Sequence, residues 1–174
     1  MGLDDAEEIA RLANEKEIAR GLSHTFPHPY EKKDALSFIE SAAQQMMNGT
    51  GFHFAIRREG DNTLLGVCGG ENIPRYRKCS IGYWLGKEYW GRGYAKEAAR
   101  LLLCFCFKEL DANRVFAEVH DYNERSSGLL KKLGFVEEGR NRESTLFDGK
   151  FMDDIMFGML KREYNDKIVA RITM

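Results

Sequence analysis

The chain has 174 residues, enough for one domain with a core of its own, and 43% of them are hydrophobic. Lys and Arg number 26 against 27 Asp and Glu, and a net charge of −1 gives no electrostatic case for nucleic-acid binding. The longest apolar run, Leu101 to Phe107, is far too short for a membrane span, and the start, Met1-Gly2-Leu3-Asp4-Asp5, is acidic where a signal peptide is basic, which predicts a cytoplasmic chain that engages no membrane.

Asp4 to Arg20 carries Ala6, Ile9, Ala10 and Ala13 on one face and charges elsewhere, the pattern of an amphipathic helix. Ser23 to Tyr30 breaks it, because Pro27 and Pro29 restrict their neighbours to extended backbone. A second helix is expected from Glu31 to Asn48, with Leu36, Phe38, Ile39, Ala42, Ala43 and Met46 on its apolar side and Gly49 as its stop. The period then shortens. Phe52, Phe54 and Ile56 alternate with His53, Ala55 and Arg57, Gly60-Asp61-Asn62 makes a turn, and Thr63 to Gly70 returns as the second arm of a hairpin. Lys78 to Leu85 reads as a further strand.

Gly91-x-Gly93 opens a helix from Tyr94 to Glu109, with Ala95, Ala98, Ala99, Leu102, Leu103 and Cys106 at helical spacing. Val115 to His120 is a strand, and Arg125 to Leu133 a short helix stopped by Gly134. Phe135 to Ser144 and Phe151 to Lys161 form a closing hairpin around Asp148-Gly149. No repeat or linker divides the chain, so residues 1–174 are expected as a single domain, with a core of about 3–162 and an extension from 163 to 174. The order predicts an α/β protein with a mostly antiparallel sheet and one strand–helix–strand crossover. Cys68, Cys79, Cys104 and Cys106 form no Cys-x-x-Cys pair and read as buried, reduced thiols with no metal site.

The run Ile81-Gly82-Tyr83-Trp84-Leu85-Gly86-Lys87-Glu88-Tyr89-Trp90-Gly91-Arg92-Gly93-Tyr94-Ala95 carries the chemistry. It is a strand, a loop with paired glycines and a helix start, whose unpaired N–H groups and positive dipole end suit a phosphate. Arg92 and Lys87 add positive charge. A strand-to-helix turn needing glycine for shape alone would read the same. No third glycine completes a dinucleotide fingerprint, and no Gly-Lys-Ser/Thr completes a P-loop.

Trp90-Gly91-Arg92-Gly93-Tyr94-Ala95 resembles the pyrophosphate loop of the GNAT superfamily of N-acetyltransferases, Gln/Arg-x-x-Gly-x-Gly/Ala, with Trp90 in place of the first polar residue. The longer phrase from Ile81 is similar to the RimJ/RimL branch, which acetylates ribosomal-protein N-termini. So is a second block, Asn123-Glu124-Arg125-Ser126 followed by Leu130, Lys132, Leu133, Gly134 and Phe135. The resemblance runs from about Leu3 to Arg162.

That resemblance implies the GNAT fold, a mixed sheet flanked by helices in which the family's fourth and fifth strands splay apart, and acetyl-CoA as co-substrate without a metal. It implies that the backbone of Trp90, Gly91, Arg92, Gly93, Tyr94 and Ala95 holds the pyrophosphate, and that the main chain of Tyr83, Trp84 and Leu85 pairs with the pantetheine arm. Leu85 N–H becomes the donor to the thioester oxygen. Asn123 bonds the pantetheine or holds the splayed strand, and Ser126 protonates the departing thiolate, although a helix-start hydroxyl satisfying backbone donors would sit there too. An amine attacks the thioester directly, with no covalent enzyme intermediate.

The chain departs from the family pattern in places. The Glu that many relatives carry before Ile-Gly-Tyr-Trp is Ser80 here. Glu118, His120, Asp121, Glu71 and Tyr76 remain as candidates for the base, with Glu118 and His120 on one strand face. His24 and His28 lie in the stretch where the family meets its acceptor, so His24, His28 and Ser80 are the candidate substrate contacts. The usual first strand is missing, and Ile168 to Thr173 is expected to fill its place, in the same chain or in a partner.

A peptide α-amine, with pKa about 7.7–8, is roughly a tenth to a fifth unprotonated at pH 7, whereas a lysine at about 10.4 is free to only about 0.04%. A site without an evident strong base therefore suits a protein or peptide N-terminus. A polyamine or aminoglycoside acetyltransferase, a non-catalytic acyl-CoA-binding module and a different nucleotide binder are the alternatives. Monomer and homodimer are both left open.

Overall fold

A computed structural model describes residues 1–22 and 26–165. Three helices come first: α1 (Ala6–Ala13), α2 (Lys16–Gly21) and α3 (Lys32–Met47). The hairpin β1 (Gly51–Arg57) and β2 (Leu64–Ile73) follows, then β3 (Lys78–Ser80), β4 (Gly82–Leu85), α4 (Tyr94–Cys104), β5 (Arg114–His120), α5 (Glu124–Leu133), β6 (Val136–Phe147) and β7 (Lys150–Leu160). The sheet order is β1-β2-β3-β5-β7-β6, with β4 also on β2. Every pairing is antiparallel except β3 with β5, which the α4 crossover joins. The expected mixed, mostly antiparallel sheet is therefore present.

Helices cover both faces. One core joins α4 and α5 to the sheet through Leu65, Ile81, Leu85, Ala99, Leu102, Leu130, Val115 and Phe157, all buried. The other packs α1 and α3 onto Leu64 and Val67, with Trp84 against it. Ala43 and Met46, expected on the apolar side of the second helix, lie on its exposed side, while Ala35, Ile39 and Ala42 are buried.

Some expected elements are broken, each for a visible reason. Asp4 to Arg20 is not one helix: the chain leaves α1 at Asn14, whose Oδ1 accepts the Tyr30 N–H at 3.0 Å. That bond seats the buried Tyr30 ring, stacked on Phe26 at 4.6 Å. The helix from Tyr94 ends at Cys104 and widens into a π-type turn, Phe105–Glu109, which lets Cys106 and Phe107 both bury themselves. Lys78 to Leu85 is two strands, not one, divided at Ile81. A Cβ on Gly70 of β2 would lie 1.9 Å from Ser80 O, so the backbone of this break rests where a side chain would otherwise stand.

The described helices include none long and apolar enough to cross a membrane. Ile168 to Thr173, expected to act as a first strand, lie outside the described residues.

Candidate active site

The division at Ile81 opens a cleft. β3 pairs with β5 from Lys78↔Arg114 to Ser80↔Phe116, and Ile81 N–H still donates to Phe116 O at 2.9 Å. Beyond that point β4 stays with β2, from Gly69↔Gly82 to Gly66↔Leu85, while β5 stays with β7 as far as His120↔Asp154. The two strands part like the arms of a V.

Alternation of backbone groups fixes what lines it. Gly86 N–H donates to Leu65 O at 2.9 Å, back toward β2, whereas Ile81 N–H points toward β5. In an antiparallel ladder successive residues face opposite sides, so Trp84 turns its main chain to β2 while Tyr83 and Leu85 turn theirs into the gap. Trp84 also packs its ring on the α1–α3 side, so only Tyr83 and Leu85 of the expected pantetheine-pairing trio present a free backbone edge.

At the end of β4 the chain makes a tight turn, Lys87–Tyr89, and reaches the glycine loop. Trp90 reaches back with its indole N–H to Leu85 O at 2.8 Å. Gly91 and Gly93 take φ of 76° and 89°, where ordinary residues are strained, and a Cβ on either would meet nothing within 4 Å. These glycines therefore serve the path of the backbone, not close packing. Along that path the N–H groups of residues 91–95 find no acceptor at ordinary hydrogen-bond distance and angle among the described residues, and Lys96 and Glu97 are the first to donate in that way, both to Gly93 O. A row of free donors at the positive end of an eleven-residue helix suits an anion. Arg92 stands exposed beside it.

On the other arm, Asn123 caps α5 by accepting the Ser126 N–H at 3.2 Å, and Tyr83 OH meets Ser126 Oγ across the gap at 3.1 Å. Burial pushes the Tyr83 phenol up, and the bond with Ser126 only partly offsets it, so the phenol keeps its proton. The side chain of Tyr83 was not expected here, since the sequence pointed to its main chain alone. Arg125 lies over the Trp90 ring at 5.1 Å, a second contact between the arms.

The candidate bases separate. Glu118 lies exposed on β5, and its carboxylate has no hydrogen bond or ion pair among the described residues. Asp121 lies 3.6 Å from Arg140, Tyr76 is exposed with Arg75 over its ring at 5.7 Å, and Glu71 is exposed. His120 is committed at both ring nitrogens, Nδ1 to Asp154 Oδ1 at 2.6 Å and Nε2 to Leu22 O at 3.1 Å, which leaves neither nitrogen free to meet an amine. Ser80 Oγ accepts the Glu71 N–H at 2.9 Å, and His28 is exposed. His24 lies outside the described residues.

No nucleophilic thiol enters the cleft. Cys68, Cys79 and Cys106 are buried and Cys104 half-buried, and burial pushes the Cys68 thiol up to about 12. Among the described residues no three His, Cys, Asp or Glu side chains gather as a metal site requires.

Known proteins resemble this architecture. The sequence model of the acetyltransferase (GNAT) domain matches residues 1–136. The uncharacterized N-acetyltransferase p20 of Bacillus licheniformis is 31% identical over 94% of this chain and 92% of its own length. The [ribosomal protein uS5]-alanine N-acetyltransferase of Escherichia coli K12 is 28% identical over 80% of this chain and 71% of its own. Among solved structures, Mycobacterium smegmatis RimJ in complex with CoA-disulfide superposes with a TM-score of 0.88 over 99% of this chain and 85% of its own, at 22% identity.

Proposed function

The chain belongs to the GNAT acetyltransferase family, and on that premise we propose that it moves the acetyl group of acetyl-CoA to a protein or peptide N-terminal α-amine. N-acetyl transfer, an amine acceptor and use of acetyl-CoA follow from the family; the α-amine, the site residues and their roles are our reading. One observation carries it: free N–H groups at residues 91–95 stand at the end of the arm that leaves β5.

Acetyl-CoA supplies an activated thioester. The N–H groups of residues 91–95 hold its diphosphate, with Arg92 adding charge, and the main chain of Tyr83 and Leu85 takes the pantetheine as a further strand. Leu85 N–H receives the negative charge that develops on the thioester oxygen. Ser126, backed by the half-buried Tyr83 phenol, gives the proton that the departing thiolate needs. Holding both reactants in one cleft supplies most of the acceleration.

Glu118, the unpartnered carboxylate on the β5 arm, takes the amine's proton through a water. An α-amine needs little such help, since it is already partly free at neutral pH. The likeness to a ribosomal-protein alanine N-acetyltransferase supports the same acceptor class.

Thiol release from acetyl-CoA, measured with peptides bearing free or blocked N-termini, polyamines and aminoglycosides, tests the assignment. Release with free N-termini alone is the expected result. Equal release from peptides with blocked N-termini, or turnover of polyamines only, contradicts it.

A further inference from the structure

α2 lies across the open end of the V. On the β4 side its Glu17 meets Lys87 at 2.5 Å, just past the end of that strand. On the β5 side its terminal carbonyls are taken by side chains two residues apart: Leu22 O by His120 Nε2 at 3.1 Å and Arg20 O by the Tyr122 hydroxyl. The guanidinium of Arg20 also covers the Tyr122 ring at 4.1 Å. Between these anchors a Cβ on Gly21 would lie 3.6 Å from Asn123 Nδ2, so the helix passes directly over the residue that caps α5. At its start, Lys16 pairs with Asp148 in the turn between β6 and β7 at 3.1 Å.

The carbonyls at a helix end have no partner within the helix and must find one elsewhere. Here the anchor runs deep. Asp154, only 7% exposed, accepts from His120 Nδ1, from Thr145 Oγ1 at 2.9 Å and from Ser144. Both ring nitrogens of His120 lie within hydrogen-bond distance of an oxygen, one on Asp154 and one on Leu22. The buried Asp154 carboxylate on β7, the His120 ring on β5 and the helix-end carbonyl of Leu22 thus form one chain from β7 to α2.

We propose that His120 is a positioning residue for the acyl transfer, holding the C-terminal end of α2 over the mouth of the parted strands so that the helix walls the thioester from water and shapes the approach of the amine. Tyr122 shares the task on the Arg20 carbonyl. The inference rests on the acetyl-transfer reading of the cleft.

The test uses the whole chain with His120→Ala, His120→Gln and Tyr122→Phe. The loss of the bond that holds Leu22 O predicts that His120→Ala raises the acceptor KM about tenfold, with kcat changed less than about threefold. Thiol release from acetyl-CoA without any acceptor rises several-fold, while acetyl-CoA affinity by calorimetry is unchanged. His120→Gln, which still donates from its amide, recovers part of the KM, and Tyr122→Phe shows a smaller rise. Wild-type KM and wild-type acceptor-free release in His120→Ala overturn the proposal. So does a loss confined to kcat with a displaced pH–rate profile, which would make the ring the base itself. Should His120→Ala not fold, an unchanged acceptor KM in Tyr122→Phe overturns it alone. Amide hydrogen exchange across residues 16–22 is read in parallel: faster exchange in the variants supports the clasp even if no amine is acetylated, and equal exchange refutes it even if the acetyltransferase is fully active.

Discussion

The two arms of the cleft are built from different materials. The β4 arm and its loop present main-chain groups: the backbone of Tyr83 and Leu85, and the N–H row of residues 91–95. All of it comes from one unbroken stretch of sequence, where glycine sets the path. The β5 arm presents side chains, and its working contacts join Leu22, His120, Ser144 and Asp154, drawn from four separate elements or their ends. Binding by main chain tolerates change in almost every side chain but none in backbone path, whereas binding by side chains fails residue by residue. Substitutions on the two arms should therefore fail in different ways.

The largest effect is expected from Gly93→Val. A β-branched residue at φ of 89° forces the loop out of its path and displaces the donors, so calorimetry should show acetyl-CoA affinity falling on the order of 100-fold. The melting temperature should drop by only a few degrees, since a Cβ there meets nothing within 4 Å. Ser126→Ala removes the proposed proton donor and should lower kcat about 100-fold with acetyl-CoA affinity nearly intact. Tyr83→Phe, measured beside it, should lose less; if it loses more, the phenol is the donor. Glu118→Gln should lower kcat/KM about tenfold for a peptide acceptor, a modest loss because the α-amine is partly free already. Trp90→Phe deletes the indole bond to Leu85 O and should weaken acetyl-CoA about fivefold, as a single hydrogen bond allows.

The smallest effect concerns the Asp154 anchor. Burial pushes this carboxyl up, but the bonds from Ser144, His120 and Thr145 outweigh it and hold it below the ordinary carboxylate range. A carboxyl lowered in the folded state adds stability above its ordinary pKa, and that stability is lost as pH falls through the folded value. Melting curves taken between neutral pH and strong acid should therefore fall below about pH 4 in the wild type. Asp154→Asn should start lower and stay flatter.

The donor arm was legible in the sequence because each of its signals is local. Paired glycines, a strand before them and a helix after them can be read within the run from Ile81 to Ala95. The break at Ile81 was not legible: Cys79, Ile81, Tyr83 and Leu85 keep a period of two straight through it, and only the crowding at Gly70 divides the strand. The split between α1 and α2 was hidden for the same reason, since the partner that draws Asn14 out of the helix is the Tyr30 backbone, beyond the next loop. His120 and Glu118 looked equivalent on one strand face. What separates them is Leu22 from one end of the chain and Asp154 from the other, contacts that no spacing rule reveals.

The central claim is that the main chain of residues 91–95 grips the diphosphate of the acyl donor. It is tested most directly by amide proton–nitrogen NMR spectra recorded while coenzyme A is added to the full chain. The account predicts that the amides of Gly91 to Ala95 move farthest downfield, together with those of Tyr83 and Leu85, as each gains an acceptor. Saturable binding that leaves the Gly91 to Ala95 amides in place, or no binding at all, would contradict it.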